Sequence, residues 1–375
     1  MKLFLLVSLV FEAILIIEST VNVSVNTAVP IHTVSDQFLG ITLDSSIVTW
    51  WQYVYFNDMV TLSRALGPGI LRFGGTDADK LYFVHNSTGY NSTTSQLDTI
   101  FGFAKQVGWH LIYDLNQLLR NGTDWNSTNA QSLINYAASK GYQLDFELGN
   151  EPNLYKQNFN TTLTYQQIVN SYRDLRTLLK NSRYNKSIVI GPSLSQPFIS
   201  EYQSFLNAGG ASVVDVLTFH QYSIDGYGSV VSNYTDPKIL NNFKNQVVQM
   251  RSLNYSGLLW LSETATDWCA CAPLVSTYAD GFHWLDKIGV SATYGVNKVL
   301  RQSLVGGSFA LIWAGHLFTP DYWLIFLHKK LVSTQVYNVT IQPNDGNLRL
   351  YSGSSKKLIQ KLSTLSQIDL LNERH

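Results

Sequence analysis

Eight short β-branched or apolar runs, each followed by an amphipathic segment, mark out most of the chain: residues 38–43, 70–73, 110–113, 144–148, 188–190, 214–219, 258–261 and 309–312. Eight strands alternating with helices predict an α/β fold, a (β/α)8 TIM barrel. The intervening helices are legible in their own right. Ile168, Tyr172, Leu175 and Leu179 share one face, as do Leu240, Phe243, Val247 and Met250, and Pro237 stands where the second of these helices would begin. The chain has 375 residues, more than the roughly 250 such a barrel needs. We assign residues 38–332 to the barrel, and residues 21–37 and 333–375 to a small, truncated β-sandwich appendage. Its strands are expected at 336–341 and 348–351 around a turn at 343–346, paired with the early segment 21–33. Residues 352–375 read as a polar, weakly amphipathic tail.

Composition narrows the function. With 45% hydrophobic, 13% aromatic and only 14% charged residues, a large core is available and disorder is excluded. Net charge is zero and no Lys/Arg run exceeds a pair, so a nucleic-acid partner is not expected. Residues 1–20, a Met-Lys start, an apolar run to Ile17 and a Glu-Ser-Thr exit, read as a secretory signal peptide, with an uncleaved membrane anchor as the alternative. Ten Asn-x-Ser/Thr sequons begin at Asn22, Asn86, Asn91, Asn121, Asn126, Asn160, Asn185, Asn233, Asn254 and Asn338, a density that points to a glycosylated extracellular chain. Lysosomal or membrane-associated destinations are the alternatives. The two cysteines, Cys269 and Cys271, stand one residue apart and cannot make a disulfide framework. Free buried thiols are the first expectation, a strained or intermolecular bridge the second.

Barrel enzymes carry their reacting groups at the C-terminal ends of strands. The fourth run continues into Gly149-Asn150-Glu151-Pro152-Asn153, and the seventh ends in Trp260-Leu261-Ser262-Glu263-Thr264. One carboxylic acid that protonates a leaving oxygen and one carboxylate that attacks an anomeric carbon are what glycoside hydrolysis requires. A single rim glutamate is more often a salt-bridge partner, but two at matching strand ends argue for chemistry. No HExxH or comparable ligand spacing accompanies them, so neither a metal nor a cofactor is expected.

Gly-Asn-Glu-Pro-Asn at 149–153 resembles the acid/base motif of the glycosidase clan with catalytic glutamates on strands four and seven. With LRFGGT (71–76), LLRNGTDWNSTNAQ (118–131), SKGYQLDFELGNEPN (139–153), FLNAGG (205–210), WLSET (260–264), GFHWLDKIGVSA (281–292) and PDYW (320–323), the chain is similar to the heparanase family of endo-β-glucuronidases. The resemblance covers about residues 38–336, the whole barrel. It implies that Glu151 is the proton donor and Glu263 the nucleophile of a retaining double displacement. It also implies that Asp44, Thr76, Asn150, Gln196, His220, Tyr222, Trp268, Cys269, Ala270 and Tyr322 line the sugar-binding cleft. The bland alternatives are a core histidine for His220 and an aromatic packed under a helix for Tyr322.

Where the family follows its nucleophile with a Tyr-Gly-Gly-Gly loop, this chain has Trp268-Cys269-Ala270-Cys271. The basic Arg-Arg-Lys after Gln-Pro is Phe198-Ile199-Ser200 here, and another cleft arginine is Tyr227. The long excised linker of the vertebrate enzyme is reduced to residues 81–95, so a single active chain is expected. The implied substrate is an extracellular glycosaminoglycan, heparan sulfate first and hyaluronan next. The alternative is a non-catalytic glycosaminoglycan-binding homologue.

Overall fold

The computed structural model describes residues 21–84, 91–269, 274–313, 317–344 and 346–356. The expected signal peptide, Asn86, Ala270, Cys271 and the tail beyond 356 lie outside the described residues. Eight parallel strands hydrogen-bond edge to edge and close on themselves: β1 (Leu39–Asp44), β2 (Gly69–Gly74), β3 (Trp109–Leu115), β4 (Leu144–Leu148), β5 (Val189–Leu194), β6 (Val216–Ile224), β7 (Leu258–Asp267) and β8 (Lys298–Gln302). Each is followed by a covering helix: α1 (Phe56–Ala65), α2 (Thr94–Val107), α3 (Thr128–Lys140), α4 (Tyr165–Lys180), α5 (Ile199–Asn207), α6 (Pro237–Ser252), α7 (Tyr278–Thr293) and α8 (Pro320–Leu331). This is the (β/α)8 barrel expected. Pro237 opens α6, where Asp236 caps the first turn by accepting from the Lys238 N–H.

One strand differs from expectation. The run at 309–312 is not a barrel strand; Ile312–Trp313 pairs with Leu317–Phe318 in a separate two-stranded ribbon. The closing strand is β8, whose Lys298 and Arg301 interrupt its apolar pattern. Arg301 is nevertheless buried, because its Nη2 and Nε sit 2.8 and 2.9 Å from Asp321 Oδ2 and Nη2 lies 3.3 Å from Asp280. An arginine so neutralised belongs in a core.

Side-chain alternation divides each strand. Outward residues such as Leu71, Phe73, Phe146, Leu217 and Leu261 join the core under the helices, whereas Ile70, Ile112, Ile190, Val216, Trp260 and Leu300 form a separate apolar cluster inside the barrel. Above that floor the interior turns polar, with Thr42, Arg72, Asp114, Glu147 and Thr218 all buried.

Two strands break the alternation near the top. β7 holds one residue more than either neighbour: Phe219 pairs with Leu261 but His220 with Glu263, and Leu261 pairs with Val299 but Thr264 with Arg301. β5 does the same at Ser193, which has φ 53°. Such bulges re-aim side chains, and here they deliver Ser262 and Glu263 together toward the barrel axis.

Outside the barrel, Asn22–Asn26, His32–Thr33 and Ser352–Ser355 all pair antiparallel with the long strand Val332–Gln342. The pairing of both chain ends is as expected, but the second late strand falls at 352–355 rather than 348–351. Arg349 reaches Asp286 on α7 at 3.2 Å, and the Tyr351 hydroxyl donates to the same carboxylate. These bonds tie 348–351 to the barrel instead of the sheet. Between sheet and α7 lies a cavity of about 680 Å³ with Phe282, Leu285, Ile288, Val336, Leu348 and Leu350 on its walls. Among the described residues no helix is long and apolar enough to cross a membrane.

Candidate active site

The chain leaves β4 through a tight turn in which Gly149 has φ 81° and Glu151 φ 51°. Both are left-handed, a conformation that costs a non-glycine residue energy and persists only when its surroundings impose it. A Cβ on Gly149 would lie 2.4 Å from the Tyr155 hydroxyl oxygen and 2.8 Å from Gln117 Cβ, so only glycine fits. Asp79 imposes the turn from below. Its Oδ2 accepts from the Asn150 N–H and the Tyr155 O–H, and its Oδ1 from the Gln117 N–H, each at 2.8 Å. Burial pushes the Asp79 carboxyl up to about 7 despite these bonds.

Glu263 faces this turn from the β7 bulge. Its Oε1 accepts from the Tyr222 hydroxyl at 2.6 Å and its Oε2 from Arg72 Nη1 at 2.8 Å. Glu151 Oε1 lies 2.9 Å from His220 Nδ1, which in turn is 4.0 Å from Glu263 Oε1. One oxygen of each glutamate and the His220 nitrogen all fall within 4.8 Å of one another. Such a trio could ligate a cation, but Arg72 already holds the position beside Glu263 and would repel one.

The two carboxyls are driven apart in acidity. Burial raises Glu151, with the charge of Glu263 adding to the effect and His220 only partly offsetting it. Burial opposes ionisation of Glu263 as well, yet His220, Arg72 and the Tyr222 hydroxyl together outweigh it and hold this group below the usual carboxylate range. The more readily protonated of the two carboxyls is therefore Glu151 and the more readily ionised is Glu263.

Arg72 is the residue that sequence reasoning passed over, although it lies within LRFGGT. Its guanidinium donates to Glu147 Oε2 at 2.5 Å, to Glu263 Oε2 and Asn150 Oδ1 at 2.8 Å each, and lies 3.7 Å from Asp114. An arginine two residues after inward-facing Ile70 must itself point inward, and a buried arginine needs acids around it. Glu147 is held from its other side by the Ser193 hydroxyl.

The remaining expected residues divide. Asp44 ends β1 with Oδ2 accepting from Gln302 Nε2 at 2.7 Å, and burial, then the nearby charge of Glu263, raise its carboxyl. Gln196 Nε2 donates to the Tyr222 carbonyl at 2.9 Å, which fixes the strand carrying that phenol. Thr76 opens the turn after β2, half-buried. Trp268 is exposed at the rim, edge-on to Tyr227 with ring centroids 5.7 Å apart. Cys269 is buried and disulfide-bonded, which corrects the expectation of a free thiol. Tyr322 does not join the site: its hydroxyl donates to the Leu62 carbonyl at 3.1 Å and its ring stacks on Phe318, so it packs under the helix.

A parallel eight-stranded barrel whose mouth holds two facing carboxyls shifted in opposite directions is the framework of a glycoside hydrolase. Residues 94–289 match the model of the glycosyl hydrolase family 79 N-terminal domain. The chain is 32% identical over 400 residues to heparanase of Mus musculus, covering 89% of this chain and 75% of that one. It is 30% identical over 376 residues to hyaluronoglucuronidase of Hirudo nipponia, covering 87% and 76%. The chain belongs to glycosyl hydrolase family 79, the family of heparanase. In fold alone it is similar to the GH51 arabinofuranosidase of Xanthomonas axonopodis pv. citri, with a TM-score of 0.67 at 17% identity over 90% of this chain and 80% of that one.

Proposed function

We propose that the chain is a retaining endo-β-glucuronidase that hydrolyses internal glucuronosyl linkages of an extracellular glycosaminoglycan, heparan sulfate or hyaluronan. The observation that carries this reading is the Glu151–Glu263 pair, with one oxygen of each within 4.8 Å of the other and acidities pulled in opposite directions. Retaining enzymes keep their carboxyls about 5–5.5 Å apart, whereas inverting ones leave about 6.5–9.5 Å for a water. In the first step Glu263 attacks the anomeric carbon while Glu151 gives its proton to the departing oxygen. In the second, Glu151 takes a proton from water as that water displaces Glu263 from the sugar. Tyr222 and Arg72 hold the nucleophile so that one oxygen faces the sugar. Secretion and glycosylation are part of the proposal, supported by the leader and by nine sequon asparagines on described residues, none of them buried.

Incubating the secreted protein separately with heparan sulfate and with hyaluronan, and sizing the products, tests the reading. Shortening of either chain supports it and identifies the substrate. Retention on an immobilised glycosaminoglycan with no shortening would support the non-catalytic alternative, which the disulfide-bonded Cys269 in place of a glycine favours.

The pH dependence follows from the pair. Acid protonates Glu263 and removes the nucleophile; alkali strips the proton from Glu151 and removes the acid. Because Glu263 is lowered and Glu151 raised, kcat/KM is expected to be bell-shaped, its acid limb below and its alkaline limb above the ordinary carboxylate range. Tyr222→Phe removes one bond that holds Glu263 down, so the acid limb should move to higher pH while the alkaline limb stays. A pH–rate profile of both proteins on an aryl glucuronide checks this; coincident limbs would refute the assignment.

A further inference from the structure

Helices α2, α3 and α6 bury apolar side chains alone, whereas α7 also buries Asp280, His283, Asp286 and Lys287. Asp280 and Lys287 stand seven residues apart, two turns along one face of the helix. Both meet β7 beyond its bulge: the Thr266 hydroxyl donates to Asp280 Oδ1, and Lys287 Nζ donates to Thr264 Oγ1. Two threonines of the strand that carries Glu263 are thus each gripped by a charged residue of the helix behind it.

Lys287 does more than hold one strand. Its Nζ lies 2.7 Å from both Thr264 Oγ1 and the Ala265 carbonyl on β7, and 2.6 and 3.0 Å from the Oε1 and the carbonyl of Gln221 on β6. The Thr264 hydroxyl itself donates to the Gln221 carbonyl. One fully buried amino group therefore fastens two neighbouring strands where Gln221 pairs with Thr264. The residues on either side of that pair face the other way. Tyr222 donates to Glu263 Oε1 at 2.6 Å, and His220, register partner of Glu263, meets Glu151 at 2.9 Å. Lys287 holds the outer side of the two segments whose inner side carries the nucleophile and the phenol bonded to it.

Stability does not account for a lysine here. Burial drives its pKa well below the ordinary lysine value, with Arg301 adding to the effect, and an apolar side chain of similar length would pack against Phe243 without that cost. What an apolar side chain lacks is direction: it can slide along a strand, whereas a donor within 3.0 Å of four oxygens cannot. We propose that Lys287 is a positioning residue, which fixes the spacing of β6 and β7 at the level of the nucleophile and so keeps the Tyr222 hydroxyl on Glu263. Its bonds go to Gln221, Thr264 and Ala265 rather than to the carboxyl pair, so it acts through Tyr222. The proposal rests on the glycoside hydrolase reading and adds to it the element that holds the nucleophile strand in place.

The test is a double-mutant cycle of Lys287→Met and Tyr222→Phe in the full chain, assayed on an aryl glucuronide. Active sites are counted with a 2-fluoro glucuronide that traps the nucleophile, so loss of folded protein does not enter kcat. Lys287→Met is expected to lower kcat per site by about 10- to 100-fold with KM nearly unchanged, and to move the acid limb of the pH profile up to where Tyr222→Phe puts it. Added to Tyr222→Phe it should cost little more, because the bond it acts through is already gone. Losses that multiply, or an acid limb that stays in place, would overturn the proposal. Should Lys287→Met not fold, Thr264→Val decides. That change is isosteric, leaves the amino group three acceptors, and removes only the Thr264 bonds between the strands. It should raise the acid limb in the wild-type background and not in Tyr222→Phe; a shift in both or in neither would refute the role. The Glu263 carboxyl, followed by ¹³C NMR titration, should also titrate higher in these variants than in the wild type, whether or not turnover occurs. If the wild type cleaves no glucuronide, the hydrolase reading fails while this titration still decides Lys287.

Discussion

Glu263→Gln is expected to lower kcat by about 10⁴-fold or more on every glucuronide, while Glu151→Gln loses comparably only on substrates with poor leaving groups. Both changes are isosteric. In the first, the amide still accepts from Tyr222 or Arg72 but cannot attack the anomeric carbon. In the second, what disappears is a transferable proton, which burial makes Glu151 readier to hold. An activated phenolate departs without that proton, so Glu151→Gln should retain far more activity on a nitrophenyl glucuronide than on a polymer. The check is kcat for both variants across aryl glucuronides of graded leaving-group acidity, with thermal melts to establish folding. Equal, mild losses in the two variants would remove the carboxyl pair from the chemistry.

Arg72→Met should be the most damaging single change to the fold. The guanidinium is fully buried and serves Glu147, Glu263 and Asn150 at once. Removing one partner of a buried ion pair costs about 3–5 kcal/mol, because the abandoned carboxylate stays desolvated. Here two are abandoned, and Asp114, already raised by burial and by Glu147, loses its cation as well. Arg72→Lys restores a charge but not the three-way fork. It should therefore fold while letting Glu263 rise, which moves the acid limb of the pH profile upward. Urea denaturation and the pH profile read the two effects separately. A lysine variant that matches the wild type in both would show that the fork has no role.

Much of this was legible in the sequence, for physical reasons that differ by element. Strands such as β4 and β6 were readable because their outward residues are apolar and short turns bound them. β8 was not, because Arg301 looks like a surface residue until Asp321 and Asp280, about 20 residues away in sequence, are seen to neutralise it. Glu151 and Glu263 were visible from their strand-end positions. The set that holds them, Arg72, Asp79 and Glu147, was hidden because a buried polar residue announces itself only through partners that the fold assembles. Arg72 could have been found by its parity with Ile70. For Asp79, whose three donors come from the segments after β3 and β4, no comparable signal existed.

The surplus residue in β7 has a consequence in genetic terms. Before the bulge, Trp260 points into the barrel and Leu259 and Leu261 point out; beyond it, Glu263 faces inward while Thr264 reaches Lys287 on α7. The strand thus changes parity once along its length. Loss of a single codon at Ser262 would restore uniform alternation and keep Glu263 inward opposite His220, whereas one codon gained between Trp260 and Ser262, with no second bulge to absorb it, would turn Glu263 toward the helices and empty the mouth of its carboxylate without altering the glutamate codon. The length of this strand is therefore under a constraint separate from its composition. A substitution at its outer positions disturbs packing locally, whereas a one-residue insertion ahead of Glu263 rewrites which side chains meet the sugar.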